Sequence, residues 1–132
     1  MEAKKIIITG GATRIGAAIA KSLVSYDTKM VIHFNKSKGS ALKLKQELEG
    51  LGVETYLLKA NLNNFKQTNN LIKSAHKKMK GLDCLINNAS IFENDNLENF
   101  SEKSFTKHIN INLKAPAILT QNFSKLIKHK EG

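Results

Sequence analysis

Apolar and polar positions along the chain switch repeatedly between a period of two and a helical period. Residues 4–9 form a short β-branched run closed by glycines, the pattern of a strand buried on both faces. Ile15, Ala18, Ile19 and Leu23 then recur at helical spacing, and the pattern gives out near Tyr26 and Asp27. A second strand is expected over 30–34, a lysine- and glutamate-rich amphipathic helix over 41–51 closed by Gly50 and Gly52, and a third strand over 53–58. A helix over 65–79 stops at Gly81, and a fourth strand covers 82–86. A long helix is expected over 102–128, with Pro116 inside its pattern predicting a kink or break. This βαβαβαβα order implies parallel strands joined by right-handed crossovers: a doubly wound α/β sheet in a single domain, residues 1–132.

Composition narrows the class. A chain of 132 residues buries about two thirds of its unfolded surface, enough for a core without disulfides or a structural metal. Cys84 is the sole cysteine, so there is no internal disulfide and no cysteine zinc cluster, and a cytoplasmic setting is expected. No apolar run approaches the ~20 residues of a membrane span, so no membrane partner is expected. The net charge of +10 rests on lysine, with Arg14 the single arginine, a bias typical of AT-rich coding. Bidentate arginines and stacked aromatics are missing from the basic positions, which argues against nucleic acid as a partner. The four histidines show no metal-ligand spacing, and His108 and Asn112, four apart on one helix face, read as a solvated or packed pair. Cys84 reads as a small core residue, and Lys43, Lys45, Glu47 and Glu49 as a solvated helix face.

The first strand-to-helix turn, Thr9-Gly10-Gly11-Ala12-Thr13-Arg14-Ile15-Gly16, carries the candidate chemistry. Glycines there allow a tight turn and let backbone N–H groups approach a pyrophosphate at the positive end of a helix dipole. Because the turn follows the first strand and opens a βαβ unit, a dinucleotide site is favoured over an ordinary tight turn. Local charge selects among dinucleotides. An NAD site places a carboxylate at the end of the second strand, yet residues 29–46 contain no Asp or Glu. Arg14 offers a planar fork to a 2′-phosphate, with Lys36 as a point charge and Asn35 and Ser37 as neutral donors, so NADPH (NADP) is the expected cofactor.

These residues resemble the short-chain dehydrogenase/reductase family. Its Thr-Gly-x-x-x-Gly-x-Gly turn is matched from Thr9 to Gly16, except that Arg14 replaces the middle glycine. Arg14 together with His33-Phe34-Asn35-Lys36-Ser37 is similar to the pteridine reductase and dihydromonapterin reductase branch. Asn87-Asn88-Ala89-Ser90 resembles the family's Asn-Asn-Ala-Gly, and Asn112-Leu113-Lys114-Ala115-Pro116 the segment holding its catalytic asparagine. The resemblance implies a Rossmann-type sheet of order 3-2-1-4. It also implies cofactor contacts from Thr9, Gly10, Arg14, Ile15, Gly16, His33, Asn35, Lys36, Ser37, Asn61, Leu62, Asn88, Ala89 and Ser90. Asn61 stands where the family has an adenine-binding aspartate; its amide oxygen accepts the same hydrogen bond. Asn112 is the implied catalytic asparagine, placing a water beside the family's lysine.

The family's proton donor is a tyrosine whose pKa is lowered by a lysine four residues on. Tyr26 and Tyr56 are followed at that spacing by Met30 and Ala60, so neither is that pair. The expectation is the N-terminal, cofactor-binding part of an NADPH-dependent oxidoreductase that reduces a pteridine-like or carbonyl small molecule. Inactivity of these 132 residues alone is expected with it. Alternatives are a 3-oxoacyl carrier-protein reductase type and a non-catalytic dinucleotide-binding remnant. Longer relatives are expected to be homo-oligomers, and this chain to self-associate through its bare fourth strand.

Overall fold

The computed structural model describes residues 3–25 and 27–127. Strands β1 (Lys4–Ile8), β2 (Thr28–Phe34), β3 (Glu54–Lys59) and β4 (Cys84–Ile86) form one parallel sheet of order β3-β2-β1-β4. They alternate with α1 (Arg14–Ser22), α2 (Lys38–Gly50) and α3 (Phe65–Met79), and after β4 come α4 (Glu102–Ile109) and α5 (Ala115–Ile127).

The period of two along the strands divides the core between the two sheet faces. Ile6, Ile8, Met30 and Ile32 meet Ala20, Ala41, Leu44 and Leu48 on one side. Ile7 and Val31 meet Leu71, Ile72, Ala75, Met79, Ile111 and Leu119 on the other. Helices on both faces give the doubly wound, Rossmann-like arrangement expected from the sequence, with the carboxyl ends of β1 and β2 side by side.

The structure departs from the sequence reading at several boundaries and on one helix face. β2 begins two residues early, since Thr28 and Lys29 pair with Lys4 and Lys5, and Thr28 is buried with its hydroxyl donating to the Leu23 carbonyl at 3.3 Å. β4 begins late: Asp83 Oδ2 accepts the Lys5 N–H at 2.9 Å, so a side chain occupies the first ladder position. On α1 the buried residues are Gly16 and Ala20, whereas Ile15 is 71 % exposed, because the helix approaches the preceding turn too closely for large side chains. The predicted long helix is divided by a π-helical turn, Asn110–Lys114, directly ahead of Pro116, which has no N–H to continue the α ladder. Tyr26 and the predicted helix end at 128 lie outside the described residues.

Candidate nucleotide site

The turn between β1 and α1 is locked from beneath. Gly10 has φ +60°, and a Cβ there would lie 2.9 Å from the Ala89 Cα. A Cβ on Gly16 would lie 2.2 Å from the Gly10 carbonyl oxygen and 2.7 Å from Asn88 Nδ2, so only glycine lets α1 begin here. Thr9 Oγ1 accepts the N–H groups of Asn88 and Ala89, each at 3.0 Å. Asn88 Nδ2 in turn donates to the Thr9 and Gly10 carbonyls, each at 3.1 Å. Thr9, Asn88 and Ala89 thus tie the turn to the segment after β4; Ser90, next along, is exposed.

The distribution of N–H groups refines the expectation for the glycines. Thr9 N–H goes to the Ile86 carbonyl at 3.0 Å, Gly10 N–H to His33 Nδ1 at 2.9 Å and Gly11 N–H to the His33 carbonyl at 3.1 Å. Those donors face inward. Thr13, Arg14 and Ile15 lie in the first turn of α1, where N–H groups have no intrahelical acceptor, and all three are exposed. They are the donors available to an anion. Thr9 and His33, expected as cofactor contacts, are 1 % and 2 % exposed, with their polar atoms engaged, and so lie beneath the contact surface.

Arg14 adopts φ +48°, a left-handed backbone that glycine takes without strain. Its side chain is exposed at the N-terminus of α1, the helix that follows β1, and β1 is paired with β2. Just after β2, Asn35 is half-buried, and Lys36 and Ser37 are exposed.

The first two helix ends on this side share a second property. Neither Thr13 at α1 nor Ser37 at α2 makes a side-chain cap hydrogen bond, and neither first turn holds an acid. By contrast, Asn64 caps α3 through Gln67 N–H at 3.0 Å, and Ser101 caps α4 through Ser104 N–H at 3.1 Å, with Glu102 in that first turn. Two helix ends with neither a side-chain cap nor an acid in the first turn, with Arg14 and Lys36 exposed at the carboxyl edge of β1 and β2, give this edge the positive character that favours an anion. Beyond β3, Asn61 Oδ1 accepts the Asn63 N–H at 2.9 Å and keeps a second lone pair, while Leu62 is buried.

Asn112, at the centre of the π turn, clamps the loop after β4: Oδ1 accepts the Ile91 N–H at 2.8 Å and Nδ2 donates to the Ile91 carbonyl at 2.9 Å. One turn earlier, His108 Nε2 accepts the Glu93 N–H at 3.0 Å, while Nδ1 donates to the Ser104 carbonyl at 2.8 Å. Lys107 pairs with the Glu93 carboxylate. His108 and Asn112 therefore do more than pack against each other or face solvent: they pin residues 91–93 together. Their i, i+4 spacing was visible in the sequence, but the loop they grip was not.

The remaining candidates fall away from this edge. Tyr56 on β3 bonds to the Glu54 carboxylate, which pushes the phenol above its ordinary pKa and makes it no substitute for a lysine-activated acid. Burial, then Asp83, pushes the Cys84 thiol up as well, consistent with a packed thiol. Lys21 with Glu47 and Lys45 with Glu49 form solvent-exposed pairs at 2.6 and 3.6 Å on and beside the charged face of α2. No helix among the described residues is long and apolar enough to cross a membrane.

Known proteins share this geometry. A 3-oxoacyl-[acyl-carrier-protein] reductase of Synechocystis is 29 % identical over 133 residues, covering all of this chain and 54 % of the relative. A short chain dehydrogenase from Burkholderia cenocepacia, solved with NADP, superposes with a TM-score of 0.90 at 28 % identity over 95 % of this chain and 51 % of that one. The FolM alternative dihydrofolate reductase 1 from Brucella canis, also solved with NADP, gives 0.83 at 29 % identity over 92 % and 49 %. The chain thus spans about half the length of these relatives. With the family model for short chain dehydrogenases matching residues 4–132, the turn, the 3-2-1-4 sheet and the segment after β4 have one common explanation: the chain belongs to the short-chain dehydrogenase/reductase family.

Proposed function

We propose that this chain is the NADPH-binding part of a short-chain reductase acting on a pteridine-like or carbonyl small molecule. One observation carries the cofactor choice: Arg14 and Lys36 stand between two uncapped, acid-free helix ends, where a carboxylate would be needed to hold an unphosphorylated ribose. The residues fit the cofactor. Gly10 and Gly16 let the turn close tightly against Asn88 and Ala89, the first N–H groups of α1 face the pyrophosphate, and Arg14, Lys36, Asn35 and Ser37 receive the 2′-phosphate. Asn61 and Leu62 receive the adenine. Bound NADPH supplies the hydride for C=O or C=N reduction; the protein residues here orient the nucleotide.

The pteridine-like substrate class is supported by Arg14, by the run from His33 to Ser37, and by the likeness to the Brucella alternative dihydrofolate reductase. The Synechocystis relative favours a 3-oxoacyl thioester as the second reading. On either reading these 132 residues catalyse no turnover by themselves, because none of their side chains is a lysine-activated tyrosine. Loss of such an acid lowers rates about 10²- to 10⁴-fold. NADPH oxidation, followed by absorbance with dihydropteridine and 3-oxoacyl substrates, is expected only when a separately expressed C-terminal half of a related reductase is added; turnover by this chain alone would refute that. For the site itself, adenosine 2′,5′-bisphosphate is expected to compete with NADPH far better than adenosine 5′-monophosphate. Equal competition would remove the 2′-phosphate site.

A further inference from the structure

Among the described residues, His33 is the buried ionisable group at the site, and its ring joins two parts of the nucleotide surface. Nδ1 accepts the Gly10 N–H at 2.9 Å, and Nε2 lies 2.9 Å from the Ala60 carbonyl oxygen. An N–H can only donate and a carbonyl can only accept, so both contacts exist together in one form: the neutral ring with its proton on Nε2. Around it, the His33 carbonyl accepts the Gly11 N–H at 3.1 Å, and the Ala60 N–H donates to the Phe34 carbonyl at 3.0 Å. Ala60 precedes Asn61 and Leu62, so the imidazole is a strut between the phosphate turn and the adenine segment.

We infer that His33 is a positioning residue whose neutral ring holds Gly10, and with it the phosphate turn, in the binding conformation, and whose protonation releases the turn. The consequence for cofactor rests on the NADPH reading above. A proton added at Nδ1 would face the Gly10 N–H donor to donor across 2.9 Å, and the two must separate. Gly10 has little freedom to follow without loosening its neighbours, because its carbonyl also accepts from Asn88 Nδ2 and abuts Gly16.

Burial holds the ring's pKa below its ordinary 6.5, opposed by the bond to Ala60, and no charged side chain contributes to the shift. At the carboxyl edge the charged side chains on these elements are Arg14 in the turn, Lys36 after β2, Lys59 at the end of β3 and Lys66 at the start of α3, all exposed cations. The carboxylates on the neighbouring elements are already paired, Glu54 at the start of β3 with Lys29 and Glu93 after β4 with Lys107, and although Glu93 also feels Lys36, neither contributes to the shift of His33. The sign follows. Above 6.5 the ring is neutral in both folded and unfolded chain. As pH falls below that value the unfolded chain binds the proton first, so the stability supplied by the neutral ring is lost progressively toward the folded-state pKa.

Three measurements on the 132-residue chain test this. In the cofactor-free protein at neutral pH, long-range ¹H–¹⁵N spectra should show His33 as the Nε2–H tautomer; an Nδ1–H tautomer or an imidazolium would overturn the assignment. The Gly10 amide resonance should titrate with a single transition below 6.5. In His33→Asn, whose Oδ1 can take the place of Nδ1 as acceptor, that transition should vanish. NADPH affinity should fall on acidification more in wild type than in His33→Asn, by about tenfold for each unit by which binding lowers the ring's pKa. His33→Gln, whose longer amide reaches toward Ala60 and leaves Gly10 N–H without an acceptor, should bind more weakly than His33→Asn throughout; equal affinity of the two overturns the positioning role. A flat Gly10 titration in protein that binds NADPH overturns that role alone. A normal Gly10 titration with no NADPH binding at any pH overturns the cofactor reading alone.

Discussion

Replacing Arg14 separates two effects that act on the same residue with opposite sign. At φ +48° its Cβ crowds the following carbonyl, at about 1–2 kcal/mol relative to an unstrained backbone. Arg14→Gly relieves that strain in the folded chain but gives the unfolded chain more freedom, which offsets about 0.4–1 kcal/mol. The net expectation for the cofactor-free protein is a small gain, between zero and about 1.5 kcal/mol. Arg14→Ala keeps a Cβ in the strained position and should bring no such gain. Toward NADPH the two variants should behave alike, because both remove the guanidinium. A hydrogen bond between charged groups contributes about 1.5–3 kcal/mol, so NADPH affinity should fall about 10- to 150-fold while NADH affinity stays nearly level. Urea denaturation without cofactor, paired with calorimetric titration of both nucleotides, reads the two effects separately. Equal losses for NADPH and NADH would refute the role of Arg14 at the 2′-phosphate. An Arg14→Gly variant less stable than Arg14→Ala would refute the argument from backbone strain.

Other consequences follow from the packing under the turn. Gly16→Ala forces a methyl to within 2.2 Å of the Gly10 carbonyl, so chemical denaturation should show a loss of about 1–3 kcal/mol or more together with loss of NADPH binding; a well-folded variant that binds normally would contradict the close approach. Thr9→Val removes the shared acceptor of the Asn88 and Ala89 N–H groups with little change of shape, so stability should fall by about 1–3 kcal/mol for each donor left unpaired, and an unchanged denaturation midpoint would count against the lock. The outer edge of β4 carries half-buried Cys84, Leu85 and Ile86 and is paired only through β1 among the described residues, so sedimentation should show concentration-dependent association. A monomer at high concentration with a sharp thermal transition would contradict this.

Much of the fold was legible because its signals are local. Strands β1 to β3 are apolar runs bounded by turn residues, α3 has a clean helical stripe ending before Gly81, and the alternation itself dictates the parallel sheet. The errors came where a distant group decides. Thr28 and Lys29 are polar yet pair with Lys4 and Lys5; Asp83 substitutes a side chain for a ladder bond; and the buried face of α1 is set by the turn it touches rather than by its largest residues. Within the candidate site, the motif gave the residues' places along the chain but not their depth. Thr9 and His33 stand in the cofactor motifs and nonetheless act from beneath, a distinction that spacing cannot carry because it depends on which atoms of the turn are already bonded. Likewise His108 and Asn112 announced a shared face but not the loop they hold.

The central claim is that Arg14, Lys36 and two uncapped helix ends form a binding site for a 2′-phosphorylated dinucleotide. Calorimetric titration of the wild-type chain with NADPH and with NADH, repeated at low and high salt, tests it most directly. NADPH should bind about tenfold or more tightly than NADH, and that margin should shrink with salt as the exposed cations are screened. Equal affinity for the two nucleotides, or a preference for NADH, would contradict it.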